Sequence, residues 1–320
     1  MSETELYAEI QHAAERIRAH VRETAVEPSA LLAGRCAAAS VHLKCENLQR
    51  TGSFKFRGAL NRLLTMPAED RARGVVAAST GNHGLAVAQS AQILGHPALI
   101  YHPTDAQETK LAGIRRLGAE TRAHGQDCVE CEAAARDHAA AKGLDYVSPY
   151  NDLQVVAGQG TIAVELQRQL EGVDAVFVSV GGGGLIAGIG TWLRRWQPQA
   201  RLYGCSPTHS AVMLHSLAAG ELLELESLPT LSDGTAGGVE AGSLTFELCQ
   251  RVVDESVFVS EEEIAAALRC VVSEHHMLIE GAAATAVAGY LKVGRELAGK
   301  RVAILLCGAN IASSTLKGLL

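Results

Sequence analysis

The chain lacks a basic excess: Lys and Arg number 28 against 35 Asp and Glu, for a formal net charge of −7. With an isoelectric point near 6.0, it has no field to attract a phosphate backbone or an anionic membrane surface. No run approaches the ~18 uninterrupted apolar residues of a membrane helix. The opening "MSETELYAEI" is acidic and lacks the charged-then-apolar pattern of a leader, so a cytoplasmic location is expected. Pro/Ser-rich linkers, low-complexity tracts and internal repeats are absent, and any second domain must be an insertion with short crossings. The eight cysteines are scattered through mainly apolar segments, as reduced core or site residues are. Cys128 and Cys131 form a CxxC flanked by His124 and His138. No second CxxC follows at zinc-ribbon spacing and no thioredoxin-like strand precedes it, so this segment reads as a surface helix. His275 and His276 likewise read as helix residues rather than ligands.

What is present is a chain of 320 residues, 48% hydrophobic and 20% charged, able to bury a large core. Short apolar runs alternate with helical patterns. "GVVAAS" (Gly74 to Ser79), "PALIYH", "DAVFVSV" (Asp174 to Val180) and "KRVAILL" read as buried strands. "GNHGLAVAQSAQILG", "DAQETKLAGIRRLG" and "GGGGLIAGIGTWLRRW" read as the helices that follow. Alternation of this length predicts parallel sheets covered on both faces, an α/β architecture.

Two glycine-rich turns carry the strongest local chemistry. "SVGGGGLIAG" places Gly181, Gly182, Gly183 and Gly184 between a strand and a helix, where main-chain N–H groups and the helix dipole favour an anion. Four glycines let the backbone wrap a phosphate closely. The stretch also matches GxGxxA, but no Asp or Glu lies between Asp174 and Glu221 to hold a ribose, and no Gly-Lys-Ser/Thr follows as in a Walker loop. A phosphate without a ribose fits better. The second turn, Ser79, Thr80, Gly81, Asn82 and His83, offers N–H groups, hydroxyls and an amide to a carboxylate. A neutral, packed His83 is expected there, since a helix N-terminus disfavours an imidazolium. In "TGSFKFRGA", Lys55 stands between Phe54 and Phe56, either snorkelling or held neutral for chemistry.

Together, "SFKFRGA", "STGNHG", "PYNDLQVVAGQGTIAVEL", "VFVSVGGGGLIAG", "LIEGAAATAVA" and "LLCGAN" resemble the fold type II pyridoxal 5'-phosphate (PLP) enzymes, specifically the serine/threonine dehydratase and serine racemase group. The likeness runs collinearly from Lys44 to Asn310. It implies two open twisted sheets with flanking helices, as in the tryptophan synthase β-like fold. It further implies a large PLP-binding domain of residues 1–70 and 149–320 and a small inserted α/β domain of residues 71–148. The chain resembles forms that lack a C-terminal regulatory domain, and relatives are commonly homodimers.

By the same resemblance, Lys55 holds PLP as a Schiff base and is the catalytic residue, while Phe54 lies against the cofactor and Asn82 bonds its 3-hydroxyl. Gly181, Gly182, Gly183 and Gly184 cradle its phosphate, Cys307 faces the pyridine nitrogen and Glu280 lies near the ring. Ser79, Thr80, Gly81, Asn82 and His83 bind the substrate carboxylate. The implied reaction removes the α-proton and β-hydroxyl of a β-hydroxy-α-amino acid, giving a 2-oxo acid and ammonia. Racemisation, or ligand binding without catalysis on the same fold, is the alternative, and Thr80 stands where racemases of the group place a serine base. The segment "RLYGCSPTHSAVM" has no carboxylate where some relatives bind a divalent metal, so no metal is expected there. Glycines after Ser-Asp-Gly resemble the branch containing phenylserine dehydratase and the dehydratase-like proteins of hydroxyectoine utilisation, where a bulkier β-substituent such as that of L-threo-3-phenylserine would fit.

Overall fold

The runs that lack alternation become the most deeply covered strands. Val75–Ala78, Ala98–His102 and Ala175–Ser179 are buried at every position, as parallel strands with helices on both faces require. The computed structural model describes residues 3–126 and 128–320. In chain order its strands are β1 (Val26–Pro28), β2 (Ser40–Lys44), β3 (Val75–Ala78), β4 (Ala98–His102), β5 (Glu120–Ala123), β6 (Asp145–Tyr146), β7 (Ala175–Ser179), β8 (Arg201–Pro207), β9 (Glu255–Val259) and β10 (Arg301–Leu305). They form a six-stranded sheet of order β1-β2-β10-β7-β8-β9 and a four-stranded sheet of order β5-β4-β3-β6. Every pairing is parallel except that of β1 with β2, at the edge of the larger sheet, where Pro28 is tolerated. The architecture is the α/β arrangement of two open sheets expected from the sequence.

Local chemistry sets the helix ends. Asp152 caps the helix Leu153–Gln169 by accepting from the N–H groups of Gln154 and Val155. Ser260 and Glu263 close a reciprocal capping box on the helix Glu261–His275, and Gly95 ends Asn82–Leu94 at a left-handed φ of 70°. In the helix Cys128–Lys142, Cys131, Ala135 and Ala139 are buried against β3 and β4, the i, i+4, i+8 stripe of a helix lying on a sheet. The Cys131 thiol donates to the His124 carbonyl (2.9 Å). The Cys128 side chain lies outside the described residues. His275 ends its helix with Nε2 3.1 Å from the Ser29 hydroxyl, and His276 is the left-handed cap that follows.

The helix Lys55–Thr65 joins the two sheets. Phe56, Leu60 and Leu63 enter the core around β3 and β4, while its other side meets Leu153–Gln169 at a glycine contact. A Cβ on Gly158 would lie 2.6 Å from the Arg57 carbonyl, so only glycine permits that approach. Beside this crossing lies a wholly buried ionic cluster. Arg57 donates to Glu46 (2.8 Å) and Glu165 (2.6 Å), and Lys44 donates to Glu165 (2.6 Å). Two cations face two carboxylates, with the Thr24 hydroxyl also donating to Glu46 (2.6 Å), so the charges are compensated and hydrogen-bonded, as burial demands.

Candidate active site

The site lies where the C-terminal ends of parallel strands meet, the usual ligand position in open α/β sheets. The chain leaves β7 into Gly181, β3 into Ser79 and β10 into Cys307. Lys55 opens its helix shortly after β2. Main-chain bonds fix these segments together: the Phe54 N–H donates to the Cys307 carbonyl (3.0 Å) and the Asn47 N–H to that of Leu306 (2.7 Å). A partly open cleft results, lined by Phe54, Lys55, Asn82, Gly181, Gly182, Gly183, Gly184, Glu280 and Cys307. These are residues that the sequence singled out. Of the turn Ser79, Thr80, Gly81, Asn82 and His83, only Asn82 lines it.

Lys55 is half-buried on the cleft wall, where Nζ donates to the Pro149 carbonyl (2.8 Å) and lies 5.3 Å from the Phe54 ring centroid. Burial lowers its pKa to about 8, against the opposing pull of Cys307, Glu132 and Glu280. The sequence suggests two flanking rings, but only Phe54 shares the cleft. Phe56 is one helical step further round, inside the other core. The Cys307 thiol is held well above its ordinary pKa by burial and then by Glu280, so it faces the cleft uncharged.

The glycine loop is shaped as an anion cradle. Gly183 has φ of 86° and caps the helix Gly184–Trp196 without any side-chain hydrogen bond, leaving the first N–H groups of that helix without intrahelical partners. The carbonyls of Gly182 and Gly183 are taken up from the helix Leu244–Val252 by Thr245 (2.6 Å) and Cys249 (3.6 Å). A side chain at Gly181 would meet the Thr235 carbonyl at 2.8 Å, and one at Gly182 would strike the Tyr150 ring.

Around Asn82 three distant segments form one network. Its Nδ2 donates to Glu280 Oε1 (2.8 Å), its Oδ1 accepts from Asn310 Nδ2 (2.6 Å), and the Asn310 N–H donates to Glu280 Oε2 (2.9 Å). Burial first, then Asp233, raises the Glu280 pKa to about 7, opposed by these bonds. In the turn, the Ser79 hydroxyl accepts from the Gly81 N–H (3.1 Å), and the helix Asn82–Leu94 again lacks a side-chain cap. The His83 imidazole is buried, with Nε2–H donating to the Val147 carbonyl (2.8 Å). Burial and Lys55 lower its pKa to about 3, so it is neutral. Its ring lies away from the turn, leaving only its main-chain N–H for an anion.

Sequence reasoning missed Pro149, Ser179, Gly234 and Thr235 in the lining, and it missed Asn310 as partner of Asn82. The motifs "PYND" and "LLCGAN" contain two of them, but a motif does not say which main-chain carbonyl or side chain turns inward.

A lysine of lowered pKa beside an uncapped glycine cradle defines a class: an α/β enzyme that holds a phosphate-bearing carbonyl cofactor. The donor set fits PLP, since the cradle suits its phosphate, Lys55 its aldehyde and the neutral thiol of Cys307 its ring nitrogen. Comparison with known proteins agrees. The family model described as pyridoxal-phosphate dependent enzyme matches residues 17–308. The chain is 41% identical over 303 residues to an L-threonine ammonia-lyase of Thermotoga maritima, covering 95% of this chain and 75% of that protein. It is 35% identical to an L-threo-3-hydroxyaspartate ammonia-lyase of Saccharomyces cerevisiae, covering 95% and 93%. The structure of processed threonine deaminase isoform 2 from Solanum lycopersicum superposes with a TM-score of 0.94 at 32% identity, over 100% of this chain and 93% of that one. The chain belongs to the pyridoxal-phosphate dependent enzymes of fold type II.

Proposed function

We propose that the chain is a PLP-dependent ammonia-lyase that converts a β-hydroxy-α-amino acid of the threonine or serine type to a 2-oxo acid and ammonia. The observation that carries this reading is the placement of the Lys55 amine on the wall of a cleft bounded by the glycine cradle. When bound, PLP supplies the electron sink for the electrons of the Cα–H bond. Lys55 would hold the cofactor, and its free amine would take the proton from Cα. An amine of pKa about 8 is neutral in about a quarter of molecules at pH 7.5, against about one in a thousand for an ordinary lysine.

Gly181, Gly182, Gly183 and Gly184 would hold the phosphate by main-chain N–H groups. Phe54 would pack against the ring, Asn82 and Glu280 would serve its 3-hydroxyl side, and Cys307 would offer its nitrogen a neutral thiol. The substrate carboxylate is assigned to Ser79, Thr80, Gly81, Asn82 and the main-chain N–H of His83, at the uncapped start of Asn82–Leu94. Cα loses a proton and Cβ its hydroxyl, and water then replaces nitrogen at Cα as ammonia leaves. Racemisation is less favoured, because Thr80 replaces the serine base and stands outside the cleft lining. The proposal includes a homodimer, read by sedimentation, and a cytoplasmic location, read by fractionation.

The deciding experiment is an assay of 2-oxo acid and ammonia from L-threonine and L-serine, with L-threo-3-phenylserine added to test the larger substituent suggested by the glycines that follow Ser-Asp-Gly. Lys55→Ala is expected to lose the visible absorption band of the bound cofactor and at least about 10³-fold in kcat. A Lys55→Ala enzyme that keeps its turnover would sink the assignment. Phenylserine turned over no better than threonine would count against the larger substituent.

A further inference from the structure

The imidazole of His83 takes no part in the chemistry assigned so far, yet it is built into the site. It is 3% exposed, its Nε2–H donates to the Val147 carbonyl (2.8 Å), and its Nδ1 is buried without a hydrogen-bond partner. An unpaired buried nitrogen costs stability, so a leucine would fill the space better if packing were the only role. What the imidazole adds is one donor, aimed at one carbonyl.

That carbonyl begins the turn that reaches Lys55. Val147 follows β6 and gives its N–H to the Val76 carbonyl of β3 (2.8 Å), so with the bond from His83 both of its main-chain groups are held. Two residues on, Pro149 lines the cleft and its carbonyl accepts from Lys55 Nζ (2.8 Å). The link between is stiff, because the proline ring fixes its own φ and restricts Ser148 to extended backbone. Ser148 Oγ accepts from the N–H groups of Asn151 (3.0 Å) and, at longer range, Tyr150 (3.5 Å). Across the planar peptide the Pro149 C=O points opposite to the Tyr150 N–H, so drawing that N–H toward Ser148 turns the carbonyl toward Lys55. On the far side, the Asn151 amide donates to Glu240 (2.8 Å) and the Glu240 N–H donates to the Tyr150 hydroxyl (2.9 Å).

His83 also stands in the first turn of the helix Asn82–Leu94, at whose uncapped start the substrate carboxylate is assigned. One residue therefore joins the substrate's anchor, by its main chain, to the acceptor of the Lys55 amine, by its side chain. Lysine has a flexible four-carbon stem, and a reacting group displaced by about 1 Å can lose about 10²-fold in rate. A fixed acceptor removes that freedom: a neutral amine donates one N–H to Pro149 and keeps its lone pair.

We infer that His83 is a positioning residue for the proton transfer at Cα, which through Val147 holds the Pro149 carbonyl as the resting place of the free Lys55 amine. The inference rests on the ammonia-lyase reading above and deepens it.

The test compares His83→Leu, which fills the space without the donor, with His83→Gln, whose side-chain N–H can reach the same carbonyl; both keep the main-chain N–H. On the cofactor-loaded enzyme, His83→Leu is expected to lose about 10-fold in kcat for L-threonine with KM within about 3-fold of wild type. The isotope effect from L-threonine deuterated at Cα should rise, since the proton step is the one slowed, and His83→Gln should recover most of the loss. A second reading needs no turnover: the pH midpoint for acylation of Lys55 in the cofactor-free chain, followed by mass spectrometry. A carbonyl that accepts from the ammonium favours the charged form, so in His83→Leu the midpoint should fall by about 1 pH unit from its wild-type value of about 8. Cys307, Glu132 and Glu280, the other groups acting on Lys55, are unchanged in the variant. Should His83→Leu fail to fold, Ser148→Ala takes its place, for it frees the same carbonyl from its other restraint and must give the same changes. An unchanged kcat, an unchanged midpoint, or a loss of kcat with a smaller isotope effect than wild type each overturns the inference. Wild-type enzyme that turns over neither L-threonine nor L-serine overturns the ammonia-lyase reading itself, while the midpoint still reports the hold on Pro149.

Discussion

Glu280 shows how one residue can carry a charge balance that its own position in the sequence does not announce. Its carboxyl is 3% exposed, and burial together with Asp233 lifts its pKa from 4.5 to about 7 although two N–H groups donate to it. The folded state thus keeps a proton that the unfolded chain gives up near 4.5. The stability this contributes is complete below about pH 4.5, declines as pH rises, and is gone above about pH 7. Urea midpoints measured between pH 5 and 8 should show a loss on the order of 1–3 kcal/mol from this group. In Glu280→Gln, which cannot ionise, that pH-dependent loss should disappear. An identical pH slope in the variant would show that the carboxyl titrates as it does in water. At this scale Lys55 and Cys307 could be picked out in the sequence from their motifs. The linking of Asn82, Glu280 and Asn310 could not, because its three members come from different elements and meet only in the folded cleft.

At the scale of elements, the strand-to-helix turn at Gly181 to Gly184 was readable because its cause is local: a strand, four glycines and a helix start are contiguous. The requirement is strictest at Gly183, whose φ of 86° excludes a side chain at low cost, and whose added Cβ would stand 2.8 Å from the Cys249 sulfur. Gly183→Ala should therefore cost about 1–3 kcal/mol in backbone strain, and it should weaken cofactor binding by about 10-fold or more as the N–H groups are re-aimed. Titration of the cofactor-free protein with PLP, followed by absorbance, measures the second effect. Gly34→Ala is the control, since that helical site has nothing within 4 Å of an added Cβ. Equal affinities in the two variants would remove the cradle from the phosphate site. The buried cluster of Lys44, Glu46, Arg57 and Glu165 had no such local signal. Arg57 could be read only as part of "SFKFRGA", because its partners lie 11 and 108 residues away. It is nevertheless the cluster that fixes the first turn of the helix carrying Lys55.

For the whole molecule, alternating strands and helices revealed the parallel sheets, whereas the way the two sheets share a helix was not legible. The four strands of the smaller sheet all fall between Val75 and Tyr146, which supports our proposal that residues 71–148 form an inserted domain within 1–70 and 149–320. Its core nonetheless borrows Ile17, Phe56, Leu60 and Leu63 from outside that range, since a hydrophobic face follows packing rather than chain order. Across the cleft, this unit is tied to the segment running from Asp233 to Gly242 by two ion pairs, Lys110 with Asp233 and Arg136 with Glu240. Gly237 and Gly242, with φ of 120° and 70°, flank Glu240. Partly exposed pairs of this kind are worth about 0.2–1 kcal/mol each, too little to alter global stability much but enough to govern local opening of a glycine-flanked segment. Arg136→Ala should leave the melting temperature within about 2 °C of wild type while raising the rate of cleavage after Glu240 by a glutamate-specific protease up to about 5-fold, the factor that 1 kcal/mol allows. Cleavage at the wild-type rate would mean that the segment is held by Tyr150 and Asn151 alone. A large fall in melting temperature would instead make the pair part of the structural core.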